Sequence, residues 1–254
     1  MYYAKMMEIP PSLPVMIDSG GFASLFANTK IIKKRNYGVL EQQTNEGITY
    51  ITPPEVLDFQ EQHADVAFTL DFIIPPGLKK KEAKKRFELT IMNAIWALQN
   101  RRRKNMPLYA CLQFWDKASA RECAKIYAKE DFDGIAIGGL VPRAKNTKEI
   151  FDIVDAVREE VPDKPIHAFG LGKPELVRQL FERGIQSVDS SSYVKQAASG
   201  RIWGDPKKVL TDLSPTERLH LALCNLASAT KETLPLSTSG IVFKTHAISS
   251  FEQG

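Results

Sequence analysis

Six short apolar, β-rich runs punctuate the chain, at 15–17, 66–70, 108–112, 134–137, 166–169 and 185–188, and helical patterns fill several of the gaps. Phe87, Ile91, Ala94, Ile95 and Leu98 recur at the spacing of one helix face, as do Ile150, Val154 and Val157. The stretch 174–181 opens on Pro174 and stops near Gly184, the usual signals for the first turn and the end of a helix. Strands apolar on both faces that alternate with helices build parallel βαβ units, because each crossover helix covers a sheet face. Six or more such units in 254 residues predict an α/β fold, a single-domain (β/α)8 TIM-type barrel, rather than an open doubly wound sheet. The barrel is expected over 1–213, and 214–254 is expected to form a peripheral C-terminal helix and a Ser/Thr-rich tail.

Composition narrows the setting. Hydrophobic content of 43% and charged content of 25% suit a globular protein, and no run of 18 apolar residues is present to form a transmembrane helix. Residues 1–8 lack the apolar stretch of a secretory signal, and three scattered cysteines, Cys111, Cys123 and Cys224, suit a reducing compartment, so a cytoplasmic protein with no membrane partner is expected. The net charge of +4 is unevenly placed. Residues 79–104 hold ten Lys or Arg against Glu82 and Glu88, a local +8, which leaves −4 for the rest. Such a run is either a solvated helix face or a phosphate-binding patch for nucleic acid, with Lys80, Lys84, Arg101 and Arg102, and Arg201 further on, as candidate contacts.

Barrel active sites collect at the C-terminal ends of the strands. There the chain places Asp18-Ser19-Gly20-Gly21, Asp71, Gln113, Gly138-Gly139, Gly170-Leu171-Gly172 and Asp189-Ser190-Ser191. Singly, an Asp after a strand is most often a helix cap and a Gly pair a turn. Three carboxylates at three strand ends, with no matching cations there, point instead to acid–base or covalent chemistry, since like charges sharing a cavity raise at least one pKa. Other chemistries have weaker signals. His220 and Cys224 present two ligands on one helical face, too few for zinc, and Ser19 and the serines at 190–192 have no histidine in an elbow motif. The turn Gly170-Leu171-Gly172-Lys173-Pro174 before a helix reads either as a phosphate cradle or as a tight βα loop. Carboxylates suit retaining glycosyl transfer, in which one attacks an anomeric carbon and another moves the proton of the leaving group.

These motifs resemble the guanine transglycosylases, enzymes that exchange a guanine base in nucleic acid for a 7-deazaguanine. That family has a (β/α)8 barrel and an Asp-Ser-Gly-Gly-aromatic motif, matched by Asp18 through Phe22. Its Gly-Gly-Leu motif matches Gly138-Gly139-Leu140, its Gly-x-Gly-Lys-Pro turn matches Gly170 through Pro174, and its nucleophile follows a Gly-Ile segment as Asp189 follows Gly184-Ile185. The match runs from about 15 to 204. The resemblance implies Asp189 as nucleophile on C1′, forming a covalent aspartyl-glycosyl intermediate, and Asp18 as general acid/base. It also implies Asp71, Gln113, Gly138 and Gly139 at the purine edge, with Ser19 and Gly170 in the same substrate site. Phe22 and Phe169 would sandwich the ring of a base taken out of its stack.

Departures from the family shape the remaining expectations. The tRNA-modifying members carry a Cys-x-Cys-x-x-Cys-plus-His zinc site after the nucleophile, which this sequence lacks, and a Pro-Thr-Arg stretch where Ser190-Ser191-Ser192-Tyr193 stands here. No cofactor and no metal are therefore expected, and DNA is favoured over tRNA as the polymer receiving a preQ0-like base, in a phage or bacterial host cytoplasm. The alternatives are a tRNA-guanine transglycosylase, a non-catalytic nucleic-acid-binding partner subunit, and a barrel enzyme acting on a phosphorylated sugar. A homodimer or a partner subunit is compatible with the resemblance.

Overall fold

All six apolar runs become strands in the computed structural model, which describes residues 14–233. In chain order the elements are β1 (Met16–Ile17), β2 (Thr29–Lys33), β3 (Gly38–Thr44), β4 (Gly47–Ile51), α1 (Pro53–His63), β5 (Val66–Phe68), α2 (Lys80–Asn100), β6 (Leu108–Leu112), α3 (Lys117–Tyr127) and β7 (Gly134–Ile137). They continue with α4 (Thr147–Glu160), β8 (Ile166–Ala168), α5 (Pro174–Glu182), β9 (Ser187–Val188), α6 (Ser192–Ala198), β10 (Arg201–Ile202), β11 (Asp205–Val209) and α7 (Pro215–Thr233). The helix expected from about 214 is thus α7. The Ser/Thr-rich tail beyond 233 and the N-terminal residues 1–13 lie outside the described residues.

The main sheet has the strand order β1-β5-β6-β7-β8-β9, and the β1–β5, β5–β6, β6–β7 and β7–β8 pairs are all parallel. β7 and β8 are buried at every residue, which explains why they read as unbroken apolar runs. The α/β class and the parallel sheet follow the expectation; the ring of eight strands does not. Among the described residues the sheet has six strands, and no pairing joins β1 to β9. The chain uses 29–51 instead for an antiparallel meander, β2-β3-β4, and pairs β10 with β11 in a separate hairpin.

Two compact units divide the described chain: 14–169 with 183–187, and 170–182 with 188–233. In the first unit the meander is fastened to α2. Gly38 N–H donates to Asn93 Oδ1 at 2.7 Å, Lys85 Nζ donates to the Ile31 carbonyl at 2.9 Å, and Ile31, Leu40, Leu70, Phe72 and Leu89 form one buried cluster. The buried face of α2 includes Thr90 and Asn93 as well as Phe87 and Ala94, whereas Ile91 and Ile95 are only half-buried. Both polar groups hold strand-end backbone. Thr90 Oγ1 accepts from Phe72 N–H at 3.0 Å, and Asn93 Nδ2 donates to the Leu70 carbonyl at 3.1 Å. Local caps fix the helix starts: the Thr52 side chain accepts from Glu55 N–H before α1, and Asp116 with Ser119 forms a reciprocal capping box before α3.

The second unit is smaller. Ala197, Leu221 and Ala222 form its core, with Ile202, Leu210 and Leu213 packed against them. Buried Asn225 on α7 ties three backbone points together: its Oδ1 accepts from Trp203 N–H at 2.8 Å, and its Nδ2 donates to the carbonyls of Arg201 (3.0 Å) and Tyr193 (3.3 Å). Asn225→Leu removes all three of these part-buried bonds, and the expected loss is about 1–3 kcal/mol, read as a lower denaturant midpoint for this unit. An unchanged midpoint would mean that Asn225 is replaceable there.

Candidate active site

In the first unit the ends of β1, β5, β6 and β7 bring one polar cluster together. Asp18 and Ser19 directly follow β1, Asp71 lies just past β5, Gln113 follows β6, and Gly138-Gly139 follows β7. Gln113 Nε2 donates to Asp71 Oδ2 at 2.6 Å, Ser19 Oγ donates to Asp71 Oδ1 at 3.3 Å, and all three side chains are buried. Gln113 Oε1 accepts from Ile74 N–H at 3.2 Å, which fixes the amide orientation and leaves one Nε2–H unassigned by these bonds. Asp18 is exposed, and its carboxylate accepts from Ser19 N–H at 2.7 Å.

The electrostatics follow from that burial. Asp71 is pushed up to about 7, first by loss of water and then by the Asp18 charge, against the Gln113 and Ser19 hydrogen bonds that favour its anion. The paired glycines permit the close packing. A side chain begun at Gly21 would land on the Asp71 carboxylate, and one begun at Gly138 would land on Gln113 Nε2. Gly138→Ala is therefore expected to displace Gln113 and to lower stability by about 1–3 kcal/mol. A variant with the melting temperature and base affinity of the wild type would contradict this packing.

Residues outside every sequence motif hold the cluster in place. Arg143, its side chain 2% exposed, donates through Nη1 to the Gly139 carbonyl at 2.6 Å and through Nε to Glu149 at 3.0 Å, and its guanidinium lies 4.6 Å from the Phe114 ring centre. Arg86 Nη1 donates to the Ile73 carbonyl at 2.6 Å, while Ser24 Oγ accepts from Ile73 N–H at 3.1 Å. Gln60 Nε2 bridges the carbonyls of Ile17 (2.9 Å) and Phe68 (2.8 Å), joining β1 to β5. The only signal for such groups in a sequence is a polar residue inside an apolar period.

The two rings expected to flank a base have different neighbours. Phe22 is 59% exposed on the short 3-10 turn Gly21–Leu25, edge-on to Phe26 at 5.8 Å. Phe169 is half-buried against Phe68 (5.0 Å) and His167 (4.7 Å).

The second unit holds the remaining two candidates side by side. Gly170 N–H donates to Asp189 Oδ1 at 2.8 Å, and Gly172 packs so closely on Ser190 that a side chain there would overlap the hydroxyl. The Gly170–Gly172 turn therefore wraps the chain's own Asp189-Ser190 loop, which favours the tight-loop reading over a phosphate cradle. Cys224 faces His220 at 3.7 Å, Cys111 and Cys123 are buried, and among the described residues no three His, Cys, Asp or Glu side chains are placed to hold a metal.

The basic run divides. Lys80 and Lys84 are exposed on the first turns of α2, and Arg201 is exposed on β10. Arg102 is exposed but ion-paired with Asp58 and, at 2.9 Å, with Glu61; Arg103 donates to the carbonyls of Glu61 (3.1 Å) and Ala64 (2.7 Å). The expectation for Arg101 is corrected: it is buried, bonded to Asp133 and to the Met106 carbonyl, and is withdrawn from any polymer.

A family profile described as queuine tRNA-ribosyltransferase matches residues 3–233. The chain is 31% identical over 199 residues to a queuine tRNA-ribosyltransferase of Thermosipho africanus, covering 74% of this chain and 52% of that protein. It is 30% identical over 210 residues to one of Thermoanaerobacter pseudethanolicus (79% and 54%), and 28% identical over 198 residues to a tRNA-guanine(15) transglycosylase of Methanococcus aeolicus (75% and 30%). The chain thus spans about half, or less, of the length of these curated relatives.

Proposed function

We propose, on the premise that this chain belongs to the queuine tRNA-ribosyltransferase family, that it exchanges a guanine base in a polynucleotide for a 7-deazaguanine. The observation that carries this reading is the buried Asp71–Gln113–Ser19 cluster. The guanine edge offers two donors, N1–H and N2–H, beside one acceptor, O6. An ionised Asp71 matches the donors, and the second Nε2–H of Gln113 and the backbone of Gly138-Gly139 match the acceptor side. Burial makes a mismatched base costly, because it leaves those groups unpaired.

The chemistry is a double displacement. An Asp189 carboxylate oxygen attacks C1′ of the target nucleotide; the C1′–N9 bond breaks with its electron pair going to guanine, which takes a proton from Asp18. The incoming base then gives its N9 proton to Asp18, and N9 attacks C1′ and expels Asp189. One glycosidic bond replaces another, so the reaction balances without a redox partner or a nucleoside triphosphate. The parallel sheet is read as part of a (β/α)8-type barrel, consistent with these groups standing at strand C-termini. Lys80, Lys84 and Arg201 are the exposed cations assigned to phosphates.

Two polymers compete. The names of the relatives favour tRNA. Ser190-Ser191-Ser192-Tyr193, in place of the Pro-Thr-Arg of tRNA-modifying members, favours DNA receiving a preQ0-like base. Incubation of the protein with labelled guanine and either tRNA or DNA decides: label enters one polymer if the reading is right, and neither polymer gains or loses label if it is wrong.

A further inference from the structure

The meander carries a feature that base exchange does not use. Four cations, Lys30, Lys33, Lys34 and Arg35, fall within 30–35 with no carboxylate among them. Lys34 and Arg35, with Asn36, Tyr37, Tyr50 and Thr52, line an open cleft of about 430 Å³. Its volume is in the range of small-ligand sites. Two aromatic rings form its walls, and both are braced. Tyr37 meets Trp96 edge-on at 5.4 Å, and the Tyr50 hydroxyl donates to Glu41 Oε2 at 3.2 Å. Tyr50 is 47% exposed, and Lys34 Nζ stands 5.9 Å from its ring centre. The nearby Glu55 is turned to the Thr52 hydroxyl, 2.8 Å away, as part of the α1 cap.

The cleft also lies next to the candidate active site. Ile51 of β4 points at the Asp18–Gly21 loop, its Cδ1 3.9 Å from where a Gly20 side chain would begin. Side chains alternate along a strand, so Tyr50 faces the other way, into the cleft. One strand therefore separates the two sites. Rings held beside exposed cations are the chemistry of single-strand binding, in which bases stack without regard to sequence and phosphates pair with Lys and Arg. We propose that this cleft is a second polynucleotide subsite, taking a nucleotide of the single strand that flanks the exchanged base. The assignment of its occupant as the substrate strand rests on the base-exchange reading.

The test is fluorescence anisotropy of labelled oligo(dT) and oligo(U) of about 16 nucleotides, with the full chain and with Tyr50→Ala, Tyr50→Phe and the double variant Lys34→Glu, Arg35→Glu. All three sites are exposed, and melting curves verify the fold. The double variant is expected to bind about tenfold more weakly, with a salt slope shallower by about 0.7 for each phosphate it no longer neutralises. Tyr50→Ala is expected to lose about fivefold or more, while Tyr50→Phe retains binding. The two oligomers report whether DNA or RNA is preferred, and weakened binding of the preferred oligomer by the variants supports the subsite. Wild-type affinity and salt slope in the double variant would overturn it, as would displacement of the oligomer by thymidine monophosphate at equal concentration. If the wild type exchanges guanine while the variants bind normally, the subsite fails and the activity stands. If the variants bind weakly but no polymer exchanges base, the cleft stands as a single-strand site and the activity fails.

Discussion

Replacing Asp189 by alanine is expected to lower guanine exchange by at least about 10⁴-fold, the scale set by removal of covalent nucleophiles elsewhere. The side chain is exposed at the end of β9, anchored by the Gly170 amide at 2.8 Å, so its loss removes a reactive group without opening a core cavity. Polynucleotide affinity in Asp189→Ala is expected to stay near the wild-type value, because the proposed phosphate contacts are assigned to cations elsewhere. That split separates a nucleophile from a binding residue. Exchange within tenfold of wild type would remove Asp189 from the mechanism.

Asp71→Asn should produce the second largest effect, on the order of 10³-fold in kcat/KM, because an amide presents a donor where guanine requires an acceptor. The pH profile adds a sharper signature. With Asp71 raised to about 7, the acceptor form is populated only as pH passes through that value, so wild-type kcat/KM rises through a limb near 7 that Asp71→Asn lacks. Stability carries the opposite sign. The folded protein holds the Asp71 proton to about 7, while an unfolded chain releases it near 3.8, so the stability this carboxyl contributes at low pH is lost as pH rises between those values. The change from 3.8 to about 7 corresponds to a loss on the order of 4 kcal/mol. The melting temperature of Asp71→Asn should therefore gain on that of the wild type from pH 4 to pH 7 and level off above. Parallel melting curves across that range would mean that Asp71 is ionised throughout.

The residues most legible in the sequence are those whose role depends on position along a strand. Asp18, Asp71, Gln113 and Gly138-Gly139 stand where apolar runs end, and the first unit gathers them there. The parallel strands were readable because burial on both faces leaves an unbroken apolar run. The β2–β4 meander was not, since its strands are not buried along their whole length: β4 shows half-buried and exposed residues, Ile48 and Tyr50 among them, rather than a buried run. Its turns did leave a signal, in Asn36 before Gly38 and Asn45 before Gly47.

Charge was the hardest property to place. Arg101, Arg102 and Arg103 read as one basic patch, yet Arg101 is buried against Asp133 and the other two hold Asp58, Glu61 and the end of α1. Those pairings join residues about 30 to 40 positions apart, beyond any local pattern. Arg143 was hidden for a different reason: its partners, Gly139 and Glu149, lie only four and six residues away, but they are brought to its guanidinium only once the turn after β7 has formed.

The most direct test of covalent base exchange is to mix the protein with its polynucleotide without free base, quench in acid, and map the digested protein by mass spectrometry. Base exchange through a covalent intermediate predicts a nucleotide adduct on the peptide containing Asp189, which disappears when guanine is added before the quench. An adduct on another residue, or exchange by a protein that never carries one, would contradict it.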